Sequence, residues 1–460
     1  MVAKNYAEEG KYRFGPAVGP TVIIPVALAL KIFGMSLLSA RWLMVVYLSL
    51  CVLIFFALAS YLGGWEVGVL ATSFLVVSPG INLIYLGRQV MGEVPAVFFF
   101  LLGVLLWIRG IDNGSIKNRN LLLTAAGLSF GLAVLTKNQF ALFFPVWILL
   151  WVSDKVFYHK LKSRDFYIPL IFLVCVVLLW YGGQRFFLQT GDRLAAQNIY
   201  EWKAALNRGF LVINRSRMEA AIKFLVGPDS FFAWVIPSLV YAVLLSLERS
   251  LKGVRWAFLS LVVLIWLIWF IFFSVAWPRY AVLPLTISAI FIAKFFNDLL
   301  GGLSSAIREL WTALRSRSWR AGNSINVVIL AFLAIILIRP FYGRVTEVIG
   351  PADQSSVGMA KYIQENLPPD AVIETYEPEV CFLSGHPCHL PPSKIMNAAI
   401  RYVWYNAAPL SEQYDFLELA PPFLLIGEFG HWVDIYDEDT VHKFYVLEIS
   451  IGDYDLYKAK

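Results

Sequence analysis

Ten apolar stretches run through this chain, at about 41–61, 66–82, 91–109, 121–136, 139–153, 167–186, 231–247, 256–276, 281–297 and 325–342. No other property constrains its fold as much. A helix that crosses a bilayer needs about 20 apolar residues. In hydrocarbon every backbone N–H and C=O must find its partner inside the segment, so each stretch is expected to be a helix. Hydrophobic residues make up 59% of the chain and charged ones only 15%, against about 25% charged in a soluble domain. The mean hydropathy is +0.66. Disordered, collagen-like and disulfide-scaffold chains are excluded on the same grounds. A further stretch, 20–34 (PTVIIPVALALKIFG), is short and interrupted by Pro25, and reads as an interfacial helix.

The charge of +6 reads first as topology and not as nucleic-acid binding. Basic residues gather in four short loops. Lys117 and Arg119 lie in 110–120; Lys155, Lys160, Lys162 and Arg164 in 154–166. Arg249, Lys252 and Arg255 lie in 248–255, and Arg308, Arg315, Arg317 and Arg320 in 298–324. These loops alternate onto one side, which the positive-inside rule makes cytoplasmic. The other side receives residues 1–40, the loop 83–90, the loop at about 187–230 and everything after Tyr342.

Residues 345–460 change character and hold most of the Asp, Glu, Pro and His. The run 354–366 (QSSVGMAKYIQEN) predicts a helix. The runs 371–377, 421–429, 442–450 and 454–458 predict strands. The expected fold class is therefore mainly α. It is a polytopic membrane helix bundle of about 10 spans with a small α/β extracytoplasmic C-terminal domain. The expected division is 1–40 as an extracytoplasmic loop with its interfacial helix, 41–344 as the transmembrane domain and 345–460 as the outer domain. The chain is expected to be a multi-pass integral protein of the cell membrane.

Four charged residues stand out on the outer side, where Lys and Arg should be scarce: Arg88, Lys137, Arg279 (with Tyr280 next to it) and Glu93. A charge at the hydrocarbon boundary is costly and needs a partner or a task. Cations at that depth suit a lipid-linked phosphate. If the phosphate is also a leaving group, its negative charge grows as the bond breaks, and fixed cations favour the transition state. A nearby carboxylate can take the proton of an attacking hydroxyl or hold a divalent metal. Each residue also has a plainer reading. Glu93 can sit at a helix N-terminus for the dipole, Lys137 can snorkel from a span end, Arg88 can pair with Glu93, and Arg279 can anchor beside Trp277 and Tyr280.

Several segments together resemble a family. GPTVIIPVALALKIFG followed by SARW, GRQVMGEVPAVFFFLLG, GLAVLTKNQFALFFP and WPRYAVLPLTISAIFIAK resemble, in this order, segments of polyprenyl-phosphate-sugar-dependent glycosyltransferases. These are the GT-C fold enzymes of the dolichyl-phosphate-mannose protein mannosyltransferase superfamily, which includes the lipid A aminoarabinose transferase. The resemblance covers most of residues 15–345. It implies a sugar donor on dolichyl or undecaprenyl phosphate, inverting transfer on the non-cytoplasmic face, and a glycan, lipid or protein acceptor. Carried over by position, Glu93 would be the second acidic residue, assisting acceptor or metal binding. Arg88, Lys137, Arg279 and Tyr280 would be substrate-binding residues, the cations facing the phosphate. A divalent metal is the only cofactor the resemblance leaves open. The departure is the first acidic motif, an Asp-Glu pair after the first span, which this chain lacks. AKNYAEEGKY resembles the residues that follow it, so the motif and a preceding span are expected upstream of Met1. Glu8 and Glu9 are acidic but come too late. A flippase for a lipid-linked glycan, or a non-catalytic relative, is the alternative reading.

Lesser signals remain. Cys381 and Cys388 are expected outside, where a disulfide is allowed. With His386 and His389 they fit no standard zinc spacing. Asn214-Arg-Ser is a glycosylation acceptor pattern. Gly127 and Gly131 make a GxxxG pair suited to helix packing. No Gly-rich phosphate loop is present in the sequence, which argues against a soluble nucleotide-sugar or ATP site.

Overall fold

A computed structural model of the chain describes residues 18–189, 211–227, 232–316, 321–350, 353–392 and 414–460, with scattered positions between 395 and 410. Glu8, Glu9, Arg317, Arg320 and the middle of the expected 187–230 loop lie outside the described residues.

Each of the ten apolar stretches is helical. Among the described residues eight helices are long and apolar enough to cross a membrane. They are Leu37–Gly63, Glu93–Asp112, Ile116–Thr136, Asn138–Tyr158, Ser163–Gln184, Leu251–Phe273, Pro278–Ser316 and Ala321–Ile349. The stretches at 66–82 and 231–247 fold as the shorter helices Trp65–Val77 and Phe232–Ser246. At about 1.5 Å per residue, the first of these reaches about 20 Å, less than the hydrocarbon thickness. Gly64 and the Ser78-Pro79 step close it at either end. The eleventh stretch is the helix Pro20–Phe33. Its Val22, Val26 and Leu30 pack against Ala40 and Met44 of the first span, while Leu28 and Ile32 stay exposed. Both faces of this helix are apolar, one packed on the bundle and one open.

Aromatic rings fill the bundle core. Phe130 and Phe143 stack at 4.4 Å, and Trp107 meets Phe258 at 5.0 Å and Trp147 at 5.5 Å. Gly127 lies against the backbone of Pro169 and Gly131 against Val176, so the GxxxG pair serves close helix packing, as its spacing predicts.

Polar contacts sort the two ends of the bundle. At one end Arg119 pairs with the fully buried Asp165, Arg255 pairs with Asp112, and Tyr158 Oη donates to the carbonyl of Ser246 at 2.5 Å. Ser304 N–H donates to Glu66 at 3.2 Å at this end too. The four basic loops are thereby collected together, which is what alternation demands. At the other end Arg344 donates to the carbonyl of Pro79 at 3.0 Å, Asn82 donates to Glu347 at 3.4 Å, and Val212 N–H donates to the carbonyl of Phe273 at 2.8 Å.

Beyond Ala321–Ile349 the chain forms the helix Ser355–Asn366 and a mixed sheet. The last span runs through the expected 344/345 boundary without a break. Among the described residues the strands are β1 (Ile373–Thr375), β2 (Cys388–His389), β3 (Phe423–Ile426), β4 (Tyr445–Ile451) and β5 (Tyr454–Ala459), in the order β2-β1-β3-β5-β4. β1 runs parallel to β2 and β3, while β5 is antiparallel to β3 and β4. Gly452, at φ +59°, opens the two-residue turn between β4 and β5. Four strands lie where alternation placed them. β2 escaped because two residues carry no periodicity. Cys381 and Cys388 are disulfide-bonded and tie the helix Pro378–Ser384 to β2. Their thiolates are therefore not metal ligands. Asn214 caps the helix Arg215–Val226, its Oδ1 accepting from Ser216 N–H at 2.9 Å.

Candidate active site

Three of the expected site residues converge from three separate elements. Glu93 is the first residue of its helix, where its carboxylate meets the N-terminal dipole. Lys137 follows the last turn of Ile116–Thr136 in an extended backbone conformation, which turns its side chain away from that helix. Arg279 lies in the short turn Pro278–Ala281 that leads into Val282–Leu299. All three lie at the end opposite the basic loops.

Lys137 Nζ is 2.8 Å from Glu93 Oε1, and Arg279 Nε is 3.7 Å from the same oxygen. The Glu93 side chain is only 6% exposed. Its second oxygen is buried with no hydrogen-bond partner among the described residues. Two cations against one anion leave a local excess of positive charge. The Arg279 guanidinium lies 4.1 Å from the ring centre of Trp277 and 5.6 Å from that of Tyr280. Its Nη1 donates to the sulfur of Met91 at 3.3 Å. Glu93, Lys137, Arg279 and Tyr280 line one small cleft with Gln139 and Trp266. Trp266 Nε1 donates to the carbonyl of Tyr280 at 2.8 Å.

Arg88 is different. It ends the helix Leu83–Arg88, is exposed, and makes no ion pair with Glu93 among the described residues. It lies within electrostatic reach of Arg41 and does not line the cleft. The plainer reading of an Arg88–Glu93 pair is not what forms: Lys137 and Arg279 take that carboxylate.

Sequence reasoning did not find how Lys137 is held. Gly19 N–H donates to the carbonyl of Thr136 at 3.2 Å, and Thr21 and Thr136 share a hydroxyl hydrogen bond of 2.6 Å. Tyr47 Oη donates to the Thr21 carbonyl at 2.6 Å. A Cβ on Gly19 would stand 1.7 Å from the carbonyl oxygen of Leu135. The helix Pro20–Phe33 thus begins by clamping the turn that carries Lys137. The GPT triplet was its only trace in the sequence.

The residues present do not fit a metal at Glu93. A divalent ion asks for several oxygen ligands, and this carboxylate already faces two cations. Among the described residues no group of three or more His, Cys, Asp or Glu side chains gathers at any place.

The C-terminal sheet domain buries two further carboxylates. Glu374 accepts from Tyr414 at 2.7 Å and Tyr436 at 3.2 Å, and pairs with His389. Burial pushes its carboxyl above the usual range, and those donors pull against the shift. Glu377, fully buried, accepts from Gly430 N–H at 2.7 Å. Burial, with Glu379 adding to it, raises its carboxyl to about 8. His389 pairing with Glu374 gives that histidine a structural place.

With this geometry in hand, comparison with known proteins is informative. The sequence profile of the dolichyl-phosphate-mannose-protein mannosyltransferases matches residues 19–189, the part that holds Glu93 and Lys137. No curated protein sequence matches the chain significantly. ArnT from Cupriavidus metallidurans, solved bound to undecaprenyl phosphate, superposes with a TM-score of 0.66 at 12% identity, over 99% of this chain and 92% of that one. The archaeal oligosaccharyltransferase AglB from Archaeoglobus fulgidus, solved with an inhibitory peptide and a dolichol-phosphate, superposes with a TM-score of 0.56 at 14% identity. That match covers 100% of this chain and 69% of AglB. The chain has the GT-C fold of these structures, and its first part carries the mannosyltransferase profile. In this GT-C chain the spans carry the cleft and the sheet domain stands over the same end, through contacts such as Phe382 against the Val22 cluster.

Proposed function

We propose that this GT-C chain moves a sugar from a polyprenyl-phosphate donor, dolichyl or undecaprenyl, to an acceptor hydroxyl on the non-cytoplasmic face. The observation that carries the reading is the buried Glu93 carboxylate, faced by Lys137 and Arg279 and left with one oxygen unpaired. In such a transfer the acceptor oxygen bonds to the anomeric carbon as the bond from that carbon to the phosphate oxygen breaks. The hydroxyl proton passes to the free Glu93 oxygen. The negative charge grows on the departing phosphate, and Lys137 and Arg279, which face Glu93 in the cleft, are the cations that would turn to it. Attack and departure on opposite sides of the ring invert the anomeric centre.

The similar structures support a lipid phosphate as the ligand, since one is bound to undecaprenyl phosphate and another to a dolichol-phosphate. The gathering of basic loops at the far end supports the non-cytoplasmic face for the cleft. The sugar and the acceptor follow from neither.

The experiment supplies the full chain in nanodiscs with lipid-linked sugars extracted from the host membranes, together with host glycans, lipids and peptides. Release of polyprenyl phosphate coupled to a new glycoside is the expected result. Movement of lipid-linked glycan across a vesicle without any product would replace this reading with a flippase.

A further inference from the structure

One aromatic side chain of the sheet domain reaches Trp277, the ring that carries Arg279 beside the cleft, and a second stands next to it. Trp432, in the short helix Glu428–Val433, brings its ring to 6.3 Å from that of Trp277. Phe429, one turn earlier, lies 6.5 Å from Trp432. Trp277 carries the Arg279 guanidinium on its face, and Arg279 faces Glu93. Only two side chains therefore separate Trp432 from the reacting carboxylate. Even so, Trp432 remains 48% exposed and Phe429 43%.

Rings of this size lose much by standing in water. Nor is the helix loosely attached. Glu377 accepts its Gly430 N–H at 2.7 Å, and Gly430 and Val433 are buried beneath it. The rings are thus held out on a fixed mount. Polar groups border them: Glu428 and His431 belong to the same helix, and His431 lies 3.9 Å from Asp455. The flat face of the Trp432 ring, flanked by tilted neighbours and carried on a short helix that also bears a carboxylate and an imidazole, matches a sugar ring. The C–H face of a sugar stacks on an aromatic plane, and its hydroxyls bond outward at the edge. A lipid tail would match the rings and waste the polar edge.

We propose that Trp432, with Phe429 and Trp277, forms a carbohydrate-stacking subsite that bridges the two domains and seats a sugar ring beside the Arg279–Glu93 cleft. The proposal rests on the transferase reading above. The ring belongs to the donor sugar or to a sugar of the acceptor.

The test titrates the full chain in nanodiscs with methyl glycosides of common hexoses, pentoses and aminosugars, read by saturation-transfer NMR. Undecaprenyl phosphate binding is measured in parallel. At least one glycoside is expected to bind, and Trp432→Ala to weaken it about tenfold, a difference well resolved in such a titration. Trp432→Phe should restore most of the binding. Undecaprenyl phosphate should bind all three forms alike, which also shows that they are folded. Displacement of the glycoside by host lipid-linked sugars assigns the ring to the donor, and binding alongside them assigns it to the acceptor. No glycoside binding by the unaltered chain, or equal binding after Trp432→Ala, overturns the subsite. If undecaprenyl phosphate fails to bind while the glycoside result holds, the donor assignment falls and the subsite stands.

Discussion

Lys137 Nζ stands 2.8 Å from Glu93 Oε1, and the two residues reach each other from different helices at the edge of the apolar bundle. An isolated charge at that depth would be costly. The pair lowers that cost, and Arg279 leaves the site one positive charge in excess. A ligand bearing a phosphate fits that excess, and its arrival competes with Glu93 for the same cations. Under the proposed transfer, a carboxylate freed in this way would become a better base when the donor is bound.

Glu93→Gln keeps the shape and removes the charge. Transfer should fall by at least about 100-fold, the lower range for loss of a general base. Affinity for undecaprenyl phosphate should rise, because the competing anion is gone. Calorimetry beside the transfer assay checks both, and near-normal transfer would remove Glu93 from the mechanism.

Lys137→Ala should weaken undecaprenyl phosphate binding by about 10- to 100-fold, the size of a charged hydrogen bond. Arg88→Ala should change it far less, since Arg88 stands apart from the cleft. Equal losses in the two variants would return Arg88 to the phosphate and demote the observed pairing.

Gly19→Ala forces the Leu135 carbonyl aside and with it the turn before Lys137. A misplacement of about 1 Å at a reacting centre can cost about 100-fold in rate. Transfer is expected to drop by about that factor while the protein still inserts and binds detergent normally. Thr21→Val, which deletes the 2.6 Å bond to Thr136, should produce a smaller drop in the same assay.

Glu377 should make the C-terminal sheet domain sensitive to pH. Its carboxyl ionises at about 8 when folded, against 4.5 for the unperturbed group. Between those values the folded chain keeps a proton that the unfolded chain has released. Stability therefore falls as pH rises through this window and levels off above about 8. Hydrogen exchange at β1 and at Gly430, followed from pH 5 to pH 9, should show increasing opening. Glu377→Gln should flatten the profile, and an unchanged slope would assign it to other groups.

Asp165→Ala removes one half of a buried pair and leaves the Arg119 charge uncompensated. The expected loss is about 3–5 kcal/mol, read from denaturant unfolding in detergent. Undecaprenyl phosphate should still bind below the unfolding temperature, because this pair lies at the opposite end of the bundle.

The bundle was legible because hydrocarbon enforces a single rule, long apolar runs, and every such run became a helix. Lys137, Arg279 and Glu93 were legible for the same reason, as charges where the rule discourages them. The rule gives depth but not direction around a helix, so it ranked Arg88 with the others although Arg88 faces elsewhere. The Gly19–Thr136 clamp and the Trp432–Trp277 contact join residues more than 100 positions apart. Nothing in a local pattern encodes such pairings. In the sheet, four strands were visible by alternation, while Cys388–His389 is set by its neighbour β1.

The helix Ala321–Ile349 has 29 residues, about 44 Å at about 1.5 Å per residue, against a hydrocarbon layer of about 30 Å. Its far end is fastened to the Pro79–Asn82 turn through Arg344 and Glu347. It acts as a strut whose outer end is tied to the bundle at that turn. Glu93 and its cations then stand at one set level, whatever the local thickness of the membrane. A thinner or thicker bilayer must bend to bring its head groups to that level. The lipid therefore bears the adjustment, and under the proposed transfer membranes of matching thickness would present the donor with the least distortion.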